Sequence, residues 1–307
     1  MTTAVEPSTE AERDTLRERI AYLVYAGAAR LARLLPTRLG RAVFRAAGTA
    51  GFHLAGGTRA VVAANQARVI GRPVDDPLVV ASTREAFRRY ARYWYDSFAI
   101  GAWRPDDVAA AFTWDGDHHL FDSIAEGRGV IAVLPHLGNW DASARAMADR
   151  GLPMVAVAER LRPERLFQLF VRQRVEYGIE VVGLDGSVGR ALTTALADGK
   201  LIGLLSDRDL TGRGIEVEMF GARRWVPAGP AMLALSTGAP VVVVGTYETP
   251  TGWRGVAWPL EMPELVGDRR TDARAITQAI ADAFVKLISA SPADWHVFEP
   301  AWPDDPA

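Results

Sequence analysis

The stretch Gly129-Val-Ile-Ala-Val-Leu-Pro-His-Leu-Gly-Asn-Trp-Asp141 predicts a buried strand that stops at a histidine. Its apolar run, residues 130–134, is uninterrupted, which is typical of a parallel strand covered on both faces. Pro135 has no backbone N–H to donate, so it ends the pairing with neighbouring strands. His136 is therefore expected where the strand stops. The carboxyl end of a parallel strand is where open α/β sheets place their sites.

A helix is predicted directly after this strand. Asn139 is a suitable N-cap for a helix that begins at Trp140, and Gly151 ends that helix. Within one continuous helix, residues five apart would point about 140° away from each other. The turn between strand and helix removes this restriction, and we expect Asp141 to fold back toward the imidazole of His136. The alternative interpretation is a helix-capping aspartate beside a histidine with no chemical role.

The pair has a clear chemical use. A neutral imidazole, with an ordinary pKa of about 6.5, can take the proton from a hydroxyl as that hydroxyl attacks a carbonyl. A carboxylate on the other ring nitrogen fixes the tautomer and stabilises the imidazolium that forms. The pattern therefore favours a general-base site at the end of a central strand.

The composition excludes several classes of function. The 307 residues are 49% hydrophobic and 23% charged, an ordinary balance for a globular protein with a large core. The net charge of −2 gives no basic signature, so no nucleic-acid partner is expected. The chain has no cysteine, which excludes disulfides, cysteine nucleophiles and thiolate metal sites.

The N-terminal region predicts a surface-associated hairpin. Residues 1–12 are polar and expected to be disordered, and residues 13–307 are predicted to form one domain. Within residues 13–56, two apolar runs carry interleaved arginines and are too short to span a bilayer. They favour a basic amphipathic helical hairpin in a membrane interface. The alternative is a hairpin packed on the core with its arginines facing solvent.

The remainder predicts an α/β fold with a mixed, mostly parallel central sheet flanked by helices. Residues 58–112 are predicted to be wholly helical, with an aromatic stripe that packs on the sheet or, alternatively, walls an acyl-chain groove. Residues 253–258 are predicted to form an antiparallel edge strand. The stripe consists of Phe87, Tyr90, Tyr93, Trp94, Tyr95 and Phe98. Further strands are predicted over 153–158, 180–183, 201–205 and 240–246, and further helices over 163–177, 189–197, 228–238 and 271–289.

Polar side chains follow these predicted strands. Glu159 follows one strand, and the cluster 206–210 follows another. Arg174 lies near the end of a helix, where its charge would also simply favour the helix dipole. Arg224 precedes the predicted N-terminus of a helix. The arginine and the helix N-terminus together form a suitable cradle for a phosphate.

Several motifs follow one another along the chain. In order they are Pro135-His-Leu-Gly-Asn-Trp140 with Asp141, Ser206-Asp-Arg-Asp-Leu-Thr-x-x-Gly214, Phe220-Gly221, Pro227-Ala-Gly-Pro-Ala231 and Asp294-Trp-His-x-Phe298. Together they resemble the glycerolipid and lipid A acyltransferase superfamily. Within it, the chain resembles the actinobacterial phosphatidylinositol mannoside acyltransferases, over roughly residues 15–302.

The resemblance implies transfer of a long acyl chain, such as palmitoyl, from acyl-CoA to a mannose hydroxyl of a phosphatidylinositol mannoside. The protein would act as a monomer, peripheral on the cytoplasmic face of the bacterial cell membrane and attracted to its anionic surface. Acyl-CoA would be a co-substrate, and no cofactor or metal is expected. Two alternatives stay open: a different acceptor, such as a lysophospholipid or another glycolipid, and a non-catalytic membrane lipid-binding protein.

The resemblance also implies roles for individual residues. His136 would be the general base in a direct transfer without an acyl-enzyme, Asp141 its structural partner, and Asp207 a further acid supporting the imidazole. A Glu is expected in the family at the position of Asp207, so Asp209, Glu216 or Glu218 are alternatives. Glu159 and Arg174 would line the sugar site. The remaining substrate-binding residues would be Arg208, Asp209 and Arg224. The sequence does not identify the oxyanion donors, and the candidates are backbone amides near Gly138 and the side chain of Arg160 or Arg208.

Overall fold

The computed structural model describes residues 15–158, 162–184, 186–209 and 212–302. The predicted tail and the predicted site residues Glu159 and Arg160 lie outside these ranges. The strands are β1 Phe112–Asp115, β2 Val130–Leu134, β3 Met154–Ala158, β4 Ile179–Gly183, β5 Leu201–Leu205, β6 Ile215–Met219, β7 Ala222–Val226, β8 Val241–Glu248 and β9 Trp253–Pro259. The helices are α1 Leu16–Leu34, α2 Thr37–Leu54, α3 Gly56–Ile70, α4 Pro77–Ala99, α5 Pro105–Ala110, α6 His118–Ala125, α7 Trp140–Asp149, α8 Glu164–Glu176, α9 Val188–Ala197, α10 Gly229–Thr237 and α11 Arg269–Ala290.

Seven strands form one mixed sheet in the order β1-β9-β8-β2-β5-β3-β4. Strands β8, β2, β5, β3 and β4 are mutually parallel, and β9 runs antiparallel to β8. The predicted mostly parallel sheet is therefore confirmed. Strand β2 lies centrally between β8 and β5, and residues 130–133 are buried because helices cover both faces. One face packs on α5, α6 and α7, and the other on α9, α10 and α11.

The predicted edge strand is antiparallel as expected but is not at the edge. Strand β1 pairs with β9 in parallel and covers it. The ring of Trp114 lies so close over Gly255 that a Cβ there would come within 2.3 Å of it. The region before β1 was predicted to be helical up to residue 112, because four residues are too few to show a strand period.

Strands β6 and β7 form a separate antiparallel ribbon that the sequence analysis did not predict. Its two-residue turn has positive φ at both positions, 53° at Phe220 and 71° at Gly221, as a type I′ hairpin turn requires. Alternation along β7 sends Arg223 outward, where it is exposed, and Arg224 inward, where it is buried.

The N-terminal helices pack on α4 rather than on the sheet. Helix α2 approaches α4 so closely that a Cβ on Gly48 would lie 2.5 Å from the backbone oxygen of Phe87. The aromatic stripe of α4 contacts α1, α2, α7 and the C-terminal segment, which corrects the prediction that it packs on the sheet. Helix α1 leaves one apolar stripe exposed, formed by Leu16, Ile20, Leu23, Val24, Leu31 and Leu34. Within the described ranges, none of the helices combines the length and apolarity that crossing a bilayer demands.

Candidate active site

The loop after β2 holds His136 at the carboxyl edge of the sheet. The side chain of Asn139 accepts a hydrogen bond from the Ala142 amide at 2.9 Å, so the predicted N-cap of α7 is confirmed. The His136 side chain is 15% exposed and packs edge-to-face against Trp140, with ring centroids 5.2 Å apart. One side of the imidazole therefore faces an open space, and the other faces the protein.

The carboxylate that contacts His136 belongs to Asp207. Its Oδ1 lies 2.5 Å from Nδ1 of the imidazole, and its Oδ2 accepts a hydrogen bond from the indole Nε1 of Trp295 at 2.8 Å. Asp207 is fully buried. The side chain of Arg224 donates to the Asp207 backbone oxygen from two nitrogens, at 2.9 and 2.5 Å. Both carboxylate oxygens and the backbone of Asp207 are thus held.

The electrostatics keep Asp207 ionised. Burial raises the pKa of a carboxyl group, and it is the largest single influence on Asp207. The adjacent His136, the charge of Arg224 and the hydrogen bond from Trp295 together outweigh burial and hold the pKa of Asp207 well below its ordinary value. A permanent negative charge therefore lies against Nδ1 of the imidazole.

Asp141 does not fold back onto the imidazole, which corrects the sequence-based expectation. Its Oδ1 accepts hydrogen bonds from Nε and Nη2 of Arg174 at 3.1 and 2.9 Å. Its Oδ2 accepts from the hydroxyl of Tyr93 at 2.8 Å. Burial and the neighbouring Asp141 charge raise the pKa of Tyr93 well above its ordinary value, so Tyr93 stays a donor. The first turn of α7 is therefore tied to α8 and α4.

Other predicted residues surround a cavity of about 230 Å³ that opens at His136. Arg208 and Asp209 line it, together with apolar side chains of β5, α9 and α10. Arg208 makes a two-point ion pair with Glu299, at 2.5 and 2.7 Å. Asp209 accepts a hydrogen bond from the Gly214 amide at 2.7 Å.

The geometry corrects the expectation for Arg224. It was expected to cradle a phosphate, but it is buried, donates to backbone oxygens of Asp207 and Ala301, and lies over the rings of Trp295 and Trp302. Among the candidate oxyanion donors, the Gly138 amide donates to the Asp294 backbone oxygen at 2.8 Å.

The alternative acids, Glu216 and Glu218, lie on the exposed side of the β6–β7 ribbon, whereas Asp207 contacts the imidazole. Tyr93 and Trp295 were not predicted to be parts of the site. Both belong to patterns that are visible in the sequence, the aromatic stripe for Tyr93 and the C-terminal Asp294-Trp-His motif for Trp295.

A second, narrower space lies between the sheet and α7. Its floor is a row of small residues, Ala132, Gly203 and Ala156, which are direct partners on β2, β5 and β3. A Cβ added at Gly203 would meet nothing within 4 Å. The lining is almost wholly apolar, and Asp141 and Arg174 also line it. Val157 and Leu205 line both this channel and the His136 cavity, so the two spaces adjoin.

Comparison with known proteins gives the chemical class. The family model for bacterial lipid A biosynthesis acyltransferases matches residues 6–303, nearly the whole chain. The chain belongs to this family. It is 36% identical over 290 residues to the phosphatidylinositol mannoside acyltransferase of Mycolicibacterium smegmatis, covering 92% of each chain. It is also 36% identical over 246 residues to the protein of the same name from Mycobacterium tuberculosis, covering 78% of this chain and 75% of that one.

Membership of the lipid A acyltransferase family supports an O-acyltransferase that acts in lipid biosynthesis. Within the part of the chain that the structure describes, no group of three or more histidine, aspartate or glutamate side chains is arranged to hold a metal ion.

Proposed function

We propose that this family member moves a long acyl chain from acyl-CoA to a mannose hydroxyl of a phosphatidylinositol mannoside, with His136 as general base. The observation that carries the proposal is the His136–Asp207 pair, in which His136 lines one of two adjoining, largely apolar spaces. The names of the similar mycobacterial proteins support the acceptor. A thioester with a long alkyl chain supplies both the reactive carbonyl and the apolar group that such spaces accommodate.

In the proposed reaction, Asp207 keeps the proton of the neutral imidazole on Nδ1, so Nε2 carries the lone pair. Nε2 of His136 takes the proton of the mannose hydroxyl while the hydroxyl oxygen forms a bond to the thioester carbonyl carbon. The tetrahedral intermediate then collapses, the carbon–sulfur bond breaks, and the thiolate of CoA receives the proton from the imidazolium. Asp207 stabilises the positive charge on the ring throughout. Arg208, which lines the His136 cavity, is the side-chain donor proposed for the oxyanion.

The proposed sites for the two substrates follow from the polar groups. Asp209 lines the same cavity as His136 and is proposed to contact the donor or the acceptor there. Arg174, held by Asp141 at the channel, is proposed for the sugar site together with Glu159, which lies outside the described residues. Arg208 and Arg174 are each held by an acid, so their positions are set before substrate arrives.

The channel over Ala132, Gly203 and Ala156 is proposed to hold the acyl chain. A glycine inside a central buried strand weakens that strand and often marks a place where a ligand comes close. Here the space above Gly203 is open, and the in-register neighbours are alanines. The acyl chain is therefore proposed to run over these three residues, beneath α7.

Gly203→Val tests this placement. The added side chain excludes about three methylene groups at about 0.8 kcal/mol each. We expect the ratio of palmitoyl to octanoyl transfer to fall about fiftyfold. Both rates are measured on the same variant, so a partial loss of folded protein does not change their ratio.

Leu192→Phe, which fills the His136 cavity instead of the channel, is the matched control. An unchanged ratio in Gly203→Val would mean that the chain lies elsewhere.

Attachment to the cytoplasmic face of the membrane is proposed through α1. Its exposed apolar stripe runs the length of the helix, and arginines flank the stripe. Such a helix suits insertion at the boundary between headgroups and acyl chains of an anionic bilayer.

Replacing Ile20, Leu23 and Val24 together by serine is expected to reduce sedimentation with phosphatidylglycerol-containing vesicles at least tenfold. The three side chains are exposed, so the fold should persist, which circular dichroism checks. A matched triple replacement of Val74, Leu78 and Val80, exposed elsewhere, is the control. If both variants and the parent protein sediment equally with the vesicles, α1 does not attach the protein to the membrane.

The acceptor is tested by offering radiolabelled palmitoyl-CoA with phosphatidylinositol monomannoside, phosphatidylinositol dimannoside and lysophosphatidic acid in parallel. We expect label on a mannoside and not on the lysolipid. Label on the lysolipid alone would retain His136 and the fold but assign a different acceptor. No label on any acceptor from an enzyme that still binds palmitoyl-CoA would contradict the proposed reaction.

A further inference from the structure

The segment 294–296 crosses the loop that carries His136 and makes two backbone hydrogen bonds to it. The backbone oxygen of Asp294 accepts from the Gly138 amide at 2.8 Å, and the backbone amide of His296 donates to the His136 oxygen at 2.7 Å. Between them, Trp295 forms an antiparallel bridge with Leu137 and sends its indole toward Asp207. We call this segment the C-terminal strap.

The strap is itself firmly anchored. The carboxylate of Asp294 accepts hydrogen bonds from Arg89 of α4 at 2.6 Å and from Ser291 at 2.8 Å. His296 is buried among aromatic rings, and burial together with His136 and Arg89 lowers its pKa to about 3. It therefore stays neutral beside His136 at neutral pH, and its contribution to the site is its backbone hydrogen bond.

We propose that Trp295 is the residue that orients Asp207 toward His136, a positioning role resting on the proposed function of that pair. The indole N–H bonds Oδ2, which leaves Oδ1 aimed at Nδ1 of the imidazole. The same indole lies under the guanidinium of Arg224, with the Arg224 carbon 5.2 Å from the ring centroid. Arg224 in turn holds the Asp207 backbone.

The physical reason lies in the burial of Asp207. In a site without solvent access, a carboxylate oxygen that loses its donor is left unsatisfied. The carboxylate then rotates or shifts to recover a partner, and the aim of Oδ1 at the imidazole is lost. Trp295 thus supplies the donor that makes one orientation of Asp207 preferred. It does not itself touch the reacting atoms.

Trp295→Phe removes the N–H and keeps a ring beneath Arg224. A hydrogen bond to a charged group is worth roughly 1.5–3 kcal/mol, so we expect kcat to fall about ten- to hundredfold. KM for palmitoyl-CoA and for the acceptor should change less than threefold, because no substrate contact is removed.

Trp302→Phe is the matched control. Trp302 is equally buried and also lies under Arg224, but its indole donates to the Met219 backbone oxygen instead of to Asp207. The Trp302→Phe variant should lose about as much thermal stability as Trp295→Phe and keep kcat within about threefold of the parent protein. Equal kcat for the two variants would overturn the positioning role.

A spectroscopic measurement separates orientation from general loosening. The proton on Nδ1 of His136, held short against a carboxylate, should give a far-downfield ¹H resonance that disappears in His136→Ala. We expect this resonance to move upfield in Trp295→Phe and to stay in place in Trp302→Phe. An unmoved resonance in Trp295→Phe would also overturn the proposal.

The assignment of His136 as the base has a separate test. Full acyl transfer by His136→Ala would contradict that assignment, whereas an unchanged kcat in Trp295→Phe alone would contradict only the positioning role of Trp295.

Discussion

His136→Ala is expected to lower kcat for acyl transfer by about 10²–10⁴, the range that general-base catalysis contributes. The imidazole is replaced by a methyl group, so nothing takes the hydroxyl proton as the oxygen attacks. Binding of palmitoyl-CoA should persist, because the channel and cavity linings are otherwise unchanged. Initial rates with radiolabelled donor, together with donor binding followed by tryptophan fluorescence, measure the two quantities separately.

His118→Ala is the control for this substitution, since His118 is exposed at the start of α6 and is not part of the loop that follows β2. It should keep the parental rate. Undiminished transfer by His136→Ala would eliminate the imidazole as the base. Loss of donor binding together with transfer would instead indicate that His136 holds substrate.

Asp207→Asn is expected to reduce kcat by about 10³–10⁴, which is comparable with the loss seen when the orienting aspartate of a catalytic triad becomes asparagine. The amide can donate to Nδ1 and so stabilises the tautomer with its proton on Nε2, which cannot accept from the hydroxyl. It also removes the charge that stabilises the imidazolium. KM should change little, because Asp207 is fully buried behind His136.

Asp209→Asn supplies the comparison, because Asp209 also lines the cavity, whereas the carboxylate at 2.5 Å from Nδ1 of His136 belongs to Asp207. A decrease of less than tenfold is expected for it. If Asp209→Asn were the slower variant, the acid that supports His136 would have to be reassigned.

The strand, the histidine and the helix after it could be predicted from sequence because each depends on nearby residues. Pro135 ends the strand, and Asn139 caps the helix through the Ala142 amide. Nearby residues alone did not identify the partner of His136. Sequence proximity suggested Asp141, and Asp207 was expected only as a further supporting acid, whereas Asp207, 71 positions away, makes the contact.

Sheet register explains this contact. Strands β2 and β5 are neighbours, and Leu134 pairs with Leu205. His136 and Asp207 each lie two residues beyond that pair, so parallel pairing brings them to the same edge. Asp141 is instead drawn to Arg174 and Tyr93, which come from α8 and α4. Only the tertiary arrangement decides which of the two acids meets the ring.

The elements that escaped prediction were short or had an ambiguous pattern. Strand β1 has four residues, and its position depends on the fit of Trp114 over Gly255. The β6–β7 ribbon alternates charged and apolar residues around a turn that places Phe220 at positive φ, an uncommon conformation for an aromatic residue. The role of Arg224 was mispredicted for the same reason, because only the recognition of β7 as a strand shows that the Arg224 side chain points inward.

We propose that His136 and Asp207 act as one catalytic unit. The most direct test is a double-mutant cycle measuring kcat for palmitoyl transfer in His136→Ala, Asp207→Asn and the combined variant. Residues that act as a unit are strongly non-additive. We expect the combined variant to be no more than about threefold slower than His136→Ala alone. Losses that multiply, so that the combined variant falls by the product of the two single effects, would show that the residues act independently and would contradict the account.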